Sequence, residues 1–202
     1  MKTIKLITIC FCLSAFQRVV GQNALPKAYQ IITDMISTVT LADSLWQFVE
    51  DKTGAWTIDS VRQLAYSNKF RFAFADTKHN SMQNFWVRYR LKNKMTKEVR
   101  VALKFFSANR CDMYLLGTDG SERHLLSGSD IVWSKRDGIK FDNMYGDNFI
   151  QISILPNEEL IAYIRTQDVF GRNSSQLSVR LYSAENMNTE LRREAEKIIL
   201  VQ

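Results

Sequence analysis

Four tryptophans, Trp46, Trp56, Trp86 and Trp133, are the side chains of this 202-residue chain best suited to recognition. A flat indole stacks on the C–H face of a sugar or clamps an apolar ligand, and its N–H can still donate a hydrogen bond. Trp86 sits in the run Phe85-Trp-Val-Arg-Tyr-Arg-Leu91, where successive residues of a strand face opposite ways. Phe85, Val87, Tyr89 and Leu91 are uniformly apolar and make the better core set. That leaves Trp86, Arg88 and Arg90 together on the other face, which is either a covered sheet surface or a binding face. Trp133 lies beside a loop rich in donors and acceptors, among them Asp130 and Lys135. We take Trp133, Trp86, Arg88, Arg90, Asp130 and Lys135 as candidate ligand contacts, with core packing as the alternative for the Trp133 ring.

Other chemistry finds less support. Only His79 and His124 are present, with no His-x-His or cysteine partner, so no transition-metal set is expected and both read as solvated loop histidines. Asp119, Asp130 and Asp147 lie in polar turns that a calcium ion could staple, but no loop has the Asp-x-Asp-x-Asp-Gly spacing. There is no Gly-x-Ser-x-Gly elbow, no phosphate-cradling glycine loop and no His-Glu-x-x-His. Glu158 and Glu159 are adjacent, so they point in different directions and do not flank one bond as a glycosidase pair does. The expectation is a non-enzyme with no cofactor.

The elements that position these residues are mostly strands. Most of residues 38–183 alternates at period two between turn residues, with candidate strands at Val39–Leu41, Trp46–Glu50, Phe70–Phe74, Phe85–Leu91, Val99–Phe105 and Cys111–Leu116. Arg123–Leu126, Ile139–Phe141, Phe149–Ile154, Leu160–Thr166 and Leu177–Tyr182 complete the set. Short helices are expected over Lys27–Ser37 and over Asp59–Leu64, the second capped by Thr57 or Asp59. Neither can cover a large sheet. Many short antiparallel strands with regular turns favour two sheets packed face to face or a partly closed barrel.

Met1–Gln22 has the layout of a signal peptide: Lys2 and Lys5, an apolar stretch from Ile4 to Phe16, then small Gly21. Removing it takes away Lys2, Lys5 and Arg18, so a formal charge of +6 falls to +3 and no basic run remains for nucleic acid. It also removes Cys10 and Cys12, leaving Cys111 alone, which excludes an intrachain disulfide and marks a buried strand cysteine. Residues 23–38 read as an N-terminal extension and 39–187 as one sandwich domain. Residues 188–202 run from a cap-type Asn188 through helix formers to Ile198–Val201, which reads either as a solvated terminal helix or as a helical lead-in to a membrane region. The Asn173-Ser-Ser sequon is treated as a loop.

Several segments, in order, are similar to one family. Leu45-Trp-Gln-Phe-Val-Glu-Asp-Lys-Thr-Gly54 with Thr57-Ile-Asp-Ser-Val61 resembles its opening pattern of strand, Glu-Asp, turn and short helix. Phe85-Trp-Val-Arg-Tyr-Arg-Leu-Lys-Asn93 looks like its strand with Trp, Arg and a terminal Asn. Asn109-Arg-Cys-Asp-Met-Tyr-Leu115 and Leu155-Pro-Asn-Glu-Glu-Leu-Ile-Ala-Tyr-Ile-Arg-Thr166 resemble two later patterns. The family is the 7TMR-DISM extracellular domain 2 family, and the resemblance covers about residues 39–183. One departure is His79-Asn-Ser-Met82, where relatives have a Gly-Tyr-type turn. The resemblance implies an all-β, jelly-roll-like β-sandwich akin to carbohydrate-binding modules, with short flanking helices. It also implies a non-catalytic sensor domain that binds a sugar or other small molecule outside the cell and is joined to the membrane helices of a longer receptor chain. The competing reading is an envelope protein-interaction or homodimerisation module without a small-molecule ligand.

Overall fold

The structure is a computed structural model that describes residues 25–33, 38–72, 83–104, 108–128, 130–137, 149–169, 179–183 and 189. Among the described residues eleven strands form two sheets. They are β1 (Tyr29–Ile31), β2 (Val39–Thr40), β3 (Trp46–Glu50), β4 (Arg71–Phe72), β5 (Gln83–Asn93) and β6 (Val99–Lys104). The rest are β7 (Ala108–Gly117), β8 (Glu122–Ser127), β9 (Phe149–Ile154), β10 (Glu159–Val169) and β11 (Arg180–Ser183). The larger sheet has the order β4-β3-β5-β10-β7-β8 with β1 also paired to β5, and the smaller has the order β2-β11-β6-β9. Chain connections pass repeatedly from one sheet to the other, at β5 to β6, β6 to β7, β8 to β9, β9 to β10 and β10 to β11. This is the expected jelly-roll-like all-β sandwich with short helices beside it.

Its core lies between the sheets, and β5 faces it as its alternation predicts: Phe85, Val87, Tyr89 and Leu91 pack with Met113, Leu115, Ile152 and Leu181. Cys111 is a buried free thiol in the same core, and burial pushes it well above its ordinary range, as expected of a cysteine serving as a small apolar group. One expectation is corrected. The described part of Lys27–Ser37, up to residue 33, holds no helix; Tyr29–Ile31 is a strand running parallel to Leu91–Asn93 of β5, and the Ile31 carbonyl accepts the Lys94 N–H at 2.9 Å. Pairing with an open stretch of β5 satisfies more backbone groups there than a marginal isolated helix of this length would. The strand expected at Ile139–Phe141, Asp147, the Asn173 sequon, the segment 1–22 and all of 188–202 but Thr189 lie outside the described residues.

Between β3 and β4 the chain makes a strap that crosses the outer face of the larger sheet. Asp51, fully buried, starts it: one carboxylate oxygen accepts the Thr53 N–H at 3.2 Å and the Thr53 hydroxyl at 2.8 Å, and the other accepts the Trp56 N–H at 2.9 Å. Gly54 turns at φ +64°, and a Cβ there would stand 2.8 Å from the Asn84 amide nitrogen, so the tight turn needs glycine. Thr57 then caps α1 (Ile58–Arg62) through a reciprocal box with Ser60, and α2 (Leu64–Ser67) follows. The helix expected at Asp59–Leu64 is present with the expected cap.

Asn93 ties the two sheets at the crossing from β5 to β6. Its buried amide donates to the Lys97 carbonyl at 2.8 Å and to Ile154 on the smaller sheet at 2.9 Å, while its oxygen accepts the Met95 N–H at 2.8 Å. Replacing Asn93 with Ala strands buried acceptors and a donor, so Asn93→Ala is expected to lower unfolding free energy by about 2–4 kcal/mol in urea titrations. A loss under about 0.5 kcal/mol would mean that water replaces all three bonds.

Candidate functional site

The outward side chains of the larger sheet form crosswise rows fixed by register. One row runs Gln47, Arg88, Tyr163, Tyr114, His124 from β3 to β8; the next runs Val49, Trp86, Arg165, Asp112, Leu126. Hydrophobic residues on a sheet's outer face need a cover, and the strap supplies it for half of this one. Val61 of α1 packs with Val49, Phe70, Trp86 and Tyr163 in a second apolar cluster, joined by Trp56 and Ile58. Trp86 and Arg88 are thereby buried, 0% and 1% exposed, so of the two readings open for this face the covered one holds at these positions. As the molecule stands, neither side chain meets solvent.

Arg88 is the centre of the covered half. Its Nε donates to the Gln47 side-chain oxygen at 2.7 Å and its Nη1 to the Ser67 hydroxyl at 2.7 Å, with Tyr163 opposite it across the ladder. Its Cζ stands 4.2 Å from the centre of the Phe70 ring. Burial pulls the guanidinium below its ordinary value and Tyr163 opposes that, but an arginine stays charged. Arg90, the next outward residue, is engaged differently. It pairs with Glu159, whose other oxygen takes the Lys92 ammonium at 3.2 Å, and these two cations hold the Glu159 carboxyl below its usual range.

The other half of the face, over β10, β7 and β8, is only partly covered. Asp112, 2% exposed, receives Arg110 through two bonds of 2.9 and 3.1 Å and lies 3.0 Å from His124 Nε2. Burial pushes the Asp112 carboxyl up, but Arg110 and His124 outweigh it and the group titrates below its usual range. His124 lies flat on Tyr114, ring centres 4.3 Å apart and 1° from parallel, and Trp86 stacks on the far side of Tyr114 at 6.0 Å. His124 is therefore not the solvated loop residue expected: it sits on β8, with one ring nitrogen engaged and the side chain 41% exposed. The Arg110, Asp112 and His124 group escaped sequence reasoning, although Arg110 and Asp112 share a face by alternation and the turn at Gly117–Gly120 sets Tyr114 opposite His124.

The loop after β8 borders this half. Asp137 exchanges two bonds with Leu126, its carboxylate accepting the Leu126 N–H and its own N–H reaching the Leu126 carbonyl, both at 2.8 Å. The loop is thus pinned along the free edge of β8, with Arg136 Nε donating to the Ile131 carbonyl at 2.7 Å. The backbone of Trp133–Lys135 is a single 3₁₀ turn there, and Asp130 and Lys135 are exposed. Trp133, Asp130 and Lys135 consequently stand in one loop, while Trp86, Arg88 and Arg90 belong to the sheet on the other side of β10. Among the described residues no group of three His, Cys, Asp or Glu could hold a metal ion, and Asp119 spends its carboxylate on the Ser121 N–H at 2.9 Å.

The depressed Asp112 carboxyl has a consequence for acid stability. A group whose folded value lies below its unfolded one stabilises fully above the unfolded value, about pH 4, and stops doing so as pH falls through the folded value. Asp112→Asn is expected to shrink the drop in urea midpoint between about pH 5 and about pH 2. An equal drop in both proteins would place the acid sensitivity in other carboxylates.

No curated protein matches the chain. A solved structure reported for the promiscuous specificity of carbohydrate-binding modules of the β-sandwich superfamily aligns with 76% of this chain and 56% of its own, at 8% identity and a TM-score of 0.27. This chain therefore spans little more than half of that one, and the sandwich assignment rests on the two sheets described above. The family comparison reaches further, because its match begins beside β3, takes in the strap and every strand of the outward rows, and runs past β11. On that match to residues 43–190, the chain belongs to the 7TMR-DISM extracellular 2 family.

Proposed function

We propose that this chain is the ligand-binding sensory ectodomain of a membrane receptor, exported, tethered through the seven-helix region of a longer chain, and not an enzyme. The ligand in this reading is a carbohydrate or another small molecule. One observation carries it beyond family membership: a sheet face holds aromatic and charged side chains partly exposed between a strap and a pinned loop. Sites of this kind, with a preformed floor and a few convergent polar groups, are where small ligands bind. Trp133, Asp130 and Lys135 supply contacts from the loop side, and Tyr114, His124 and Arg110 supply the floor. Among the described residues no helix is long and apolar enough to cross a membrane. A ligand that fits one arrangement of strap and sheet better than another would shift their populations, which is all a receptor requires of its sensor.

A thermal-shift screen of the protein against mono- and oligosaccharides, amino acids and divalent ions tests this. The expected result is a concentration-dependent rise in Tm with one chemical class, reduced in Trp133→Ala without loss of the unliganded Tm. No rise with any class would remove the small-molecule reading and favour the homodimerisation or protein-interaction module.

A further inference from the structure

The two ends of the strap are held by two arginines on adjacent strands. Arg88 on β5 grips the far end through the Ser67 hydroxyl, and Arg165 on β10 grips the near end by donating from Nη2 to the Gly54 carbonyl. Because Arg88 pairs with Tyr163 and Arg165 with Trp86 across the β5–β10 ladder, the two are diagonal neighbours on one face, roughly 7–8 Å apart at the backbone. Among the described residues neither has a carboxylate partner, although Arg62, Arg90 and Arg110 all do. Two positive charges are therefore met by neutral strap oxygens.

The state of Arg165 is more specific. The Nε–H and Nη2–H of a guanidinium lie side by side on one edge, the fork that accepts both oxygens of a carboxylate. Among the described residues a single carbonyl occupies Nη2 of Arg165 and its buried Nε has no partner, whereas Arg90, whose Nε is likewise unpaired, already has a carboxylate at its Nη2. A buried donor left unpaired is costly, and a second oxygen at the same edge would satisfy it. The Trp86 ring centre is 5.9 Å from the guanidinium carbon, and Asp112, which stands opposite on β7, already has its carboxylate engaged by Arg110 and His124.

We propose that Arg165, backed by the charge of Arg88, is the seat for a carboxylate-bearing small molecule, and that the Gly54 carbonyl occupies half of this seat when no ligand is bound. This rests on the sensor reading above and specifies its ligand class. A carboxylate makes charge-assisted bonds about twice as strong as those of a neutral oxygen, so it can displace Gly54 from the fork. The strap then loses one contact at its near end, while the Asp51 bonds, the packing of Val61 and the 3.3 Å ion pair of Arg62 with Glu122, whose side chains are nearly half exposed, still hold it. Ligand and strap compete for the same guanidinium edge, and that competition converts occupancy into a strap movement.

The test is calorimetric titration of the protein with glucuronate, galacturonate, lactate and amino acids, beside glucose, galactose and amino-acid amides as neutral counterparts. Binding is expected only from carboxylated compounds. Arg165→Gln should weaken it by about 10- to 100-fold, with Arg165→Lys, which keeps the charge but lacks the fork, in between. Arg62→Ala should strengthen it by a few-fold, because a loosened strap competes less well. Neutral counterparts binding as tightly, with no effect of Arg165→Gln, would overturn the carboxylate seat and leave the sensor reading standing. No binding by any compound would overturn both. Weakening by Arg62→Ala and Arg165→Gln alike, with circular dichroism unchanged, would overturn the competition between ligand and strap.

Discussion

A guanidinium cannot lose its charge inside a protein, and burying Arg88 at 1% exposure dictates much of what surrounds it. Every N–H it points into the interior must find an acceptor. β3 supplies Gln47, the strap supplies Ser67, and the Phe70 ring closes one face. Without the strap, Arg88 would lose one of these acceptors and the apolar residues beside it, Trp86 and Val49, would lose Val61. Strap and sheet are therefore interdependent: the polar requirement of one side chain and the apolar requirement of its neighbours are met by the same connecting chain, residues 51–70.

The strand residues that carry the family resemblance take their meaning from this arrangement. Trp86, Arg88 and Asn93 all point into packed or hydrogen-bonded surroundings, Asn93 joining the sheets and the other two anchoring the cover. They build the platform rather than its open surface. The partly exposed polar residues sit two and three strands over, on β7 and β8, where the cover thins.

Much of this was legible in the sequence because alternation is a local property. The two faces of β5, the buried Cys111 and the Thr57 cap follow from residue types at fixed spacing. Alternation separates Trp86, Arg88 and Arg90 from the core set, but it holds no information about what lies on top of them, because the cover comes from a segment some twenty to thirty residues earlier. Tyr29–Ile31 read as helix for a related reason: its partner is Leu91–Asn93, and long-range backbone pairing outweighs a weak local preference. His124 was misread because its position depends on the β7–β8 register. That register was within reach, since the glycine turn at Gly117–Gly120 fixes which residues stand opposite.

The order of strands in the larger sheet also constrains how the molecule can be made. Its central pair joins Gln83–Asn93 to Glu159–Val169, and β10 pairs on its other side with Ala108–Gly117. As the chain emerges from a ribosome or an export channel, β5 and β7 are available early but have nothing between them until the strand that separates them arrives much later. The sheet therefore closes from the middle and late, after most of the polypeptide is already free in solution with strand edges open. Long loops must be closed before those contacts form, which makes the fold slow to assemble and leaves the incomplete chain prone to association. Synthesis and folding are thus separated in time by topology alone, a separation compatible with crossing a membrane unfolded before the sandwich exists.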